Sequence, residues 1–69
     1  MTEEELTEYF QYLDELRQSG ITNMWGASRY VEGVFGLTPQ EASRVTSKWM
    51  TSFTPDKTPA ERAKEALAA

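Results

Sequence analysis

Between Tyr30 and Trp49 the chain reads YVEGVFGLTPQEASRVTSKW, the stretch that most narrows what it can fold into. An apolar segment ends at Gly36, Leu37 follows, and then comes Thr38-Pro39-Gln40-Glu41. A threonine N-cap accepts a hydrogen bond from the first turn. Proline at the first helical position lacks a donor that would be orphaned anyway. Glutamate three residues after the cap returns a bond to the cap's own N–H. The pattern is helix, glycine-broken turn, helix. That is the pattern of a helix-turn-helix, which nucleic-acid readers use and which many non-binding helical domains also contain.

A chain of 69 residues supports one domain at most, near the lower limit for folding alone. It has no cysteine, so neither a disulfide nor a thiolate metal site can staple it. It has no histidine, which removes the commonest general base and the commonest metal ligand together. Cohesion must come from large rings: Tyr9, Phe10, Tyr12, Trp25, Tyr30, Phe35, Trp49 and Phe53. No apolar run approaches membrane-spanning length, and Glu3-Glu4-Glu5 is the opposite of a secretory signal's basic start. A cytoplasmic protein with no membrane contact is expected.

The spacing predicts a first helix over 3–18. Thr2 and Glu5 form its capping box, and Leu6, Tyr9, Phe10, Leu13 and Leu16 form its apolar stripe. Gly20 is expected to end it in a left-handed cap, with Ile21 packing back on Leu16. A second helix is expected over 25–35, capped by Thr22 or Asn23, with Ala27, Tyr30, Val31 and Val34 inward. Gly33 within it suggests close approach of another backbone. The third helix starts at Pro39 and turns Ala42, Val45, Trp49 and Phe53 inward, until Pro55 interrupts it. Thr58-Pro59-Ala60-Glu61 repeats the start signal for a short fourth helix, either frayed or docked through Leu67. The expected fold is all-α: a compact three-helix bundle over 1–54 containing the helix-turn-helix-like hairpin. Residues 55–69 then form a short helix or mobile tail.

Catalysis finds little support. Glu4 with Glu8, and Asp14 with Glu15, are paired carboxylates, but they lie on a helix surface with no concave apolar site to shift them. No calcium-loop or phosphate-loop pattern is present. Neither an enzyme nor a bound cofactor or metal is expected.

Charge is uneven along the chain, whose net value is −4. Residues 1–16 carry Glu3, Glu4, Glu5, Glu8, Asp14 and Glu15 and no base, whereas the middle is mildly basic. Acids at the start of a helix suit its dipole, and they also suit a basic partner surface. If the hairpin reads DNA, Gln40, Ser43, Arg44, Ser47 and Lys48 form the face that reaches bases and phosphates, with Arg29 adding a phosphate contact. Two cations on that face and Glu41 at its entrance imply weak binding by a monomer. If the partner is a protein, the candidate contacts are Tyr12, Met24, Trp25 and Met50, with Glu4, Glu8 and Glu15 as the acidic component. Tyr12, Trp25 and Met50 exceed what a three-helix core accommodates, which also points to a homodimer through the first helix or the Trp25 loop.

The run YLDELRQSGITNMWGASRYVEGVFGLTPQEASRVTSKWMTSF, Tyr12 to Phe53, resembles a recurrent pattern in small uncharacterised helical proteins of bacteriophages and prophages. Its marks are the leucine and arginine run, Ser19-Gly20, Thr22-Asn23-Met24-Trp25-Gly26-Ala27, Phe35-Gly36-Leu37 and Trp49-Met50. The resemblance carries no assigned activity and no functional residues. It implies a phage context, host cytosol as the compartment, and an accessory or regulatory protein that acts by binding a macromolecule. The leading expectation is therefore non-catalytic protein–protein interaction. The alternatives are a helix-turn-helix DNA-binding regulator and a small structural virion or assembly component.

Overall fold

A computed structural model of the chain describes residues 2–21, 26–54 and 56–68. All regular structure among them is helical: α1 Glu3–Ser19, α2 Ala27–Phe35, α3 Pro39–Ser52 and α4 Pro59–Ala68. The radius of gyration is 10.8 Å, close to the roughly 11 Å of a globule of this length, so α4 does not project as a tail.

Three of the four starts follow the same local chemistry. In α1 the Thr2 N–H donates to Glu5 Oε1 at 2.9 Å and the Glu5 N–H donates to Thr2 Oγ1 at 3.1 Å. Thr38 with Glu41 makes the same reciprocal pair in α3, both bonds at 3.1 Å. Thr58 with Glu61 makes it in α4, at 3.1 and 3.2 Å. Each box holds its glutamate below the ordinary range, first through the threonine backbone N–H and then through the threonine side chain. α2 differs, since its N-cap is Gly26 with no side-chain capping bond. The expected caps Thr22 and Asn23 lie outside the described residues.

The core joins Leu6, Tyr9, Phe10, Leu13 and Leu16 of α1 to Ala27 and Val31 of α2, Ala42, Val45 and Trp49 of α3, and Ala63 of α4. The α1 stripe is as its spacing predicts. α2 is rolled from its expected orientation. Ala27, Val31 and Phe35 line its inner side, while Tyr30 and Val34 are 40% and 57% exposed. Phe35 accounts for the roll. Its ring stands edge-on to Tyr9 at 4.7 Å and to Tyr12 at 5.5 Å, and a nine-residue helix cannot present Phe35 and the Tyr30–Val34 edge to one neighbour. The same contact half-buries Tyr12, expected to be exposed.

Three further expectations are corrected. Ile21 is 66% exposed and does not return to Leu16. The Ile21 N–H donates to Ser19 Oγ at 3.3 Å, not to a carbonyl of the last turn, so the chain leaves without the fold-back that a full glycine cap imposes. Gly33 meets no neighbour: a Cβ built there has nothing within 4 Å. α4 is docked, but not through Leu67, which is 41% exposed. Arg62 and Ala63 are its buried residues, and its most extensive packing is along α1, because alanine at the contact lets the helices approach closely. The left-handed conformation expected after α2 is present at Gly36, with φ +67°, and half-buried Leu37 packs against the core beyond it.

Leu13→Ala should lower unfolding free energy by about 2–5 kcal/mol, whereas Val34→Ala should change it by about 0.5 kcal/mol or less. Urea melts followed by circular dichroism check the contrast. Comparable losses at both sites would show α2 packed the other way round. The three capping glutamates make a second prediction. Their folded pKa values lie below the unfolded ones, so their stabilisation is present above the ordinary glutamate pKa and disappears as pH falls through the folded values. A Glu5→Gln/Glu41→Gln/Glu61→Gln variant should therefore lose less stability than the parent between about pH 5 and pH 3, which urea midpoints across that range will read.

Candidate functional site

The α3 face expected to reach nucleic acid is partly assembled. Gln40, Ser43, Arg44 and Ser47 are all exposed and line one shallow depression, as residues at 40, 43, 44 and 47 must on a single helix face. Lys48 is half-buried and does not line it, and neither does Arg29, exposed on α2. Among the described residues Arg44 is thus the one cation in the depression. Glu41, held ionised by its capping bonds and by Arg44, stands at the start of the same helix. Among the described residues Arg29, Arg44 and Lys48 take part in no ion pair.

The residues expected to meet a protein are dispersed. Glu4 and Glu8 line a broad open depression with Thr2, Glu3, Thr7 and Ala60, where the starts of α1 and α4 lie side by side. Glu15 is exposed but is not part of it. Tyr12 is engaged with Phe35, and Met50 is half-buried against the core. Both thus pack partly against the core and are not wholly surplus to it. Met24 and Trp25 lie outside the described residues. Among the described residues, the exposed large apolar groups are instead Tyr30 and Val34 on α2, with Ile21 and Leu67 elsewhere. Spacing alone did not separate Tyr30 and Val34 from the buried stripe, because both sit at positions that stripe would use.

The strongest polar assembly is one the sequence did not signal. Asp14, half-buried on α1, accepts from Trp49 Nε1 of α3 at Oδ1, 2.8 Å away, and from Arg62 Nη2 of α4 at Oδ2. Arg62 is 1% exposed. Its guanidinium carbon lies 5.3 Å from the Phe53 ring centre and 6.0 Å from that of Phe10, so aromatic faces supply part of the solvation it has lost. Its Nε and Nη1 are buried without a hydrogen-bond partner. Nearby, the Arg17 guanidinium lies 4.6 Å from the Phe53 ring centre. The arrangement fixes three helices in register. It brings no nucleophile against a base, and no group of three or more acidic side chains able to hold a metal occurs among the described residues. None of the helices is long and apolar enough to cross a membrane.

Asp14→Ala strands a buried guanidinium and should cost about 3–5 kcal/mol, whereas Arg62→Met removes the charge while keeping much of the volume and should cost distinctly less. Guanidinium-chloride melts of the two variants decide the order. The reverse order would mean that Arg62 acts mainly by packing. Comparison with protein-family models, curated proteins and solved structures returned no match.

Proposed function

We propose that this chain is a non-catalytic binding protein, of the accessory or regulatory kind that the phage resemblance implies, and that it docks a protein partner on the outer edge of α2. One observation carries the reading: Tyr30 and Val34 stand one helical turn apart and exposed, while the other apolar side chains of α2 are buried or half-buried. Gly33 beside them has open space where a side chain would be, and a glycine costs about 1 kcal/mol against alanine within a helix. That cost gains a rationale if a partner backbone approaches there. Arg29 flanks the edge, so a partner segment with an apolar stripe and an adjacent carboxylate complements it.

A second reading treats α2, the Gly36 turn and α3 as a helix-turn-helix that reads DNA through α3. Its support is the shared exposure of Gln40, Ser43, Arg44 and Ser47. It ranks lower because one arginine beside an ionised glutamate neutralises few phosphates.

Both readings are tested with tagged parent protein, a Tyr30→Ser/Val34→Ser variant and Arg44→Ala, each passed through extract of cells in which the protein is naturally made, with and without nuclease. A specific protein should be retained by the parent and by Arg44→Ala, be lost from the α2 variant, and be indifferent to nuclease. Equal capture by the α2 variant defeats the proposed edge. Fluorescence anisotropy with random-sequence duplex at low salt serves the alternative: binding that weakens in Arg44→Ala moves the DNA reading ahead. Sedimentation equilibrium of the same variants identifies a second copy as the partner if the parent associates and the α2 variant does not.

A further inference from the structure

A small cavity of about 200 Å³ opens where the end of α1, the α3–α4 connection and α4 meet, away from the α2 edge. Arg17, Gln18, Phe53, Lys57, Arg62 and Asp14 line it. Three cations thus face one carboxylate in a chain whose net charge is −4. That carboxylate, Asp14, is already shared between Trp49 Nε1 and Arg62 Nη2. Arg62 retains the buried, unpartnered Nε and Nη1, which leaves three of a guanidinium's five N–H bonds without an acceptor. Buried donors in that condition call for an explanation. Arg17 has no carboxylate partner among the described residues and rests on the Phe53 ring instead. Lys57 pairs with Glu65 at 2.6 Å, outside the cavity lining.

We propose that this cavity is a binding site for a phosphate group, either free phosphate or the phosphoryl end of a small monoester. Arg62 supplies fixed charge from beneath, where low dielectric strengthens it. Arg17 and Lys57 close on the anion from the rim, and the Gln18 amide adds a neutral donor. Donors spread over three side chains suit the several oxygens of a dianion better than the planar face of a single carboxylate. Asp14 also lines the cavity, and its two oxygens stay committed to Trp49 Nε1 and Arg62 Nη2, so its charge is offset by Arg62 rather than turned on the ligand. The site needs no rearrangement of the helices, since the Arg62–Asp14 pair already holds α1 and α4 in place.

The experiment is a titration of the folded protein with sodium phosphate and, in parallel, with glycerol 3-phosphate, read from the Arg Nε–H and backbone NMR signals. Ionic strength is held constant with sodium chloride. The proposal expects saturable shifts confined to Arg17, Gln18, Lys57 and Arg62, with the Arg44 signal unmoved. Arg17→Met and Lys57→Met, both at rim positions outside the core, should each weaken affinity by about tenfold, the equivalent of one charge-assisted hydrogen bond. Tighter binding of the monoester identifies a phosphorylated small molecule as the ligand, and equal or weaker binding identifies phosphate itself. Shifts that rise linearly, that spread evenly over all arginines, or that are unchanged in both rim variants overturn the site.

Discussion

The fold depends on the Asp14 carboxylate. It is the point at which α1, α3 and α4 are joined by directional bonds, through the Trp49 indole N–H and the Arg62 guanidinium. Apolar contacts alone leave helices free to slide by a turn, since one aliphatic side chain serves much like the next. A carboxylate with two oxygens committed to two fixed donors does not permit that. Leaving either donor buried without its acceptor carries a penalty of about 1–3 kcal/mol, and more for a charged group, so shifted registers are disfavoured. The buried pair is better understood as selecting this packing than as adding stability, because removing two ions from water offsets most of their attraction.

Much of the architecture was legible in the sequence, for a local reason. Thr2, Thr38 and Thr58, each followed three residues on by glutamate, mark helix starts whose chemistry is complete within four residues. The α1 stripe is similarly self-contained, because five apolar residues at helical spacing admit one inward face. What escaped depends on other elements. Whether Tyr30 or Phe35 turns inward on α2 is decided by Tyr9 and Tyr12 on a different helix. Nothing local to α4 marks Arg62 as buried, and only Asp14, 48 residues away, makes its burial tolerable. The α3 polar face could be named from spacing, but Lys48 could not be recognised as half-buried without the neighbouring helices.

The surface is divided by chemistry. The starts of α1 and α4 gather Glu3, Glu4 and Glu8 into an acidic region. The end of α1 and the connection into α4 bring Arg17 and Lys57 together above the buried Arg62. The α2 edge presents apolar groups. Because α1 runs from the acidic region to the basic one, acids lie at its N-terminus and Arg17 in its last turn, the arrangement its dipole favours. Helix stability and the segregation of charge over the surface thus come from one placement of residues.

The Trp49 indole proton has a further role by virtue of where it sits. It is held by a residue 35 positions away, and its acceptor also holds α4. That proton meets solvent base only when α3 parts from α1, and such a parting also dismantles the packing around Arg62. Its exchange with deuterium therefore reports the opening of the core as one cooperative unit, so a single atom records the free energy that keeps the helices assembled.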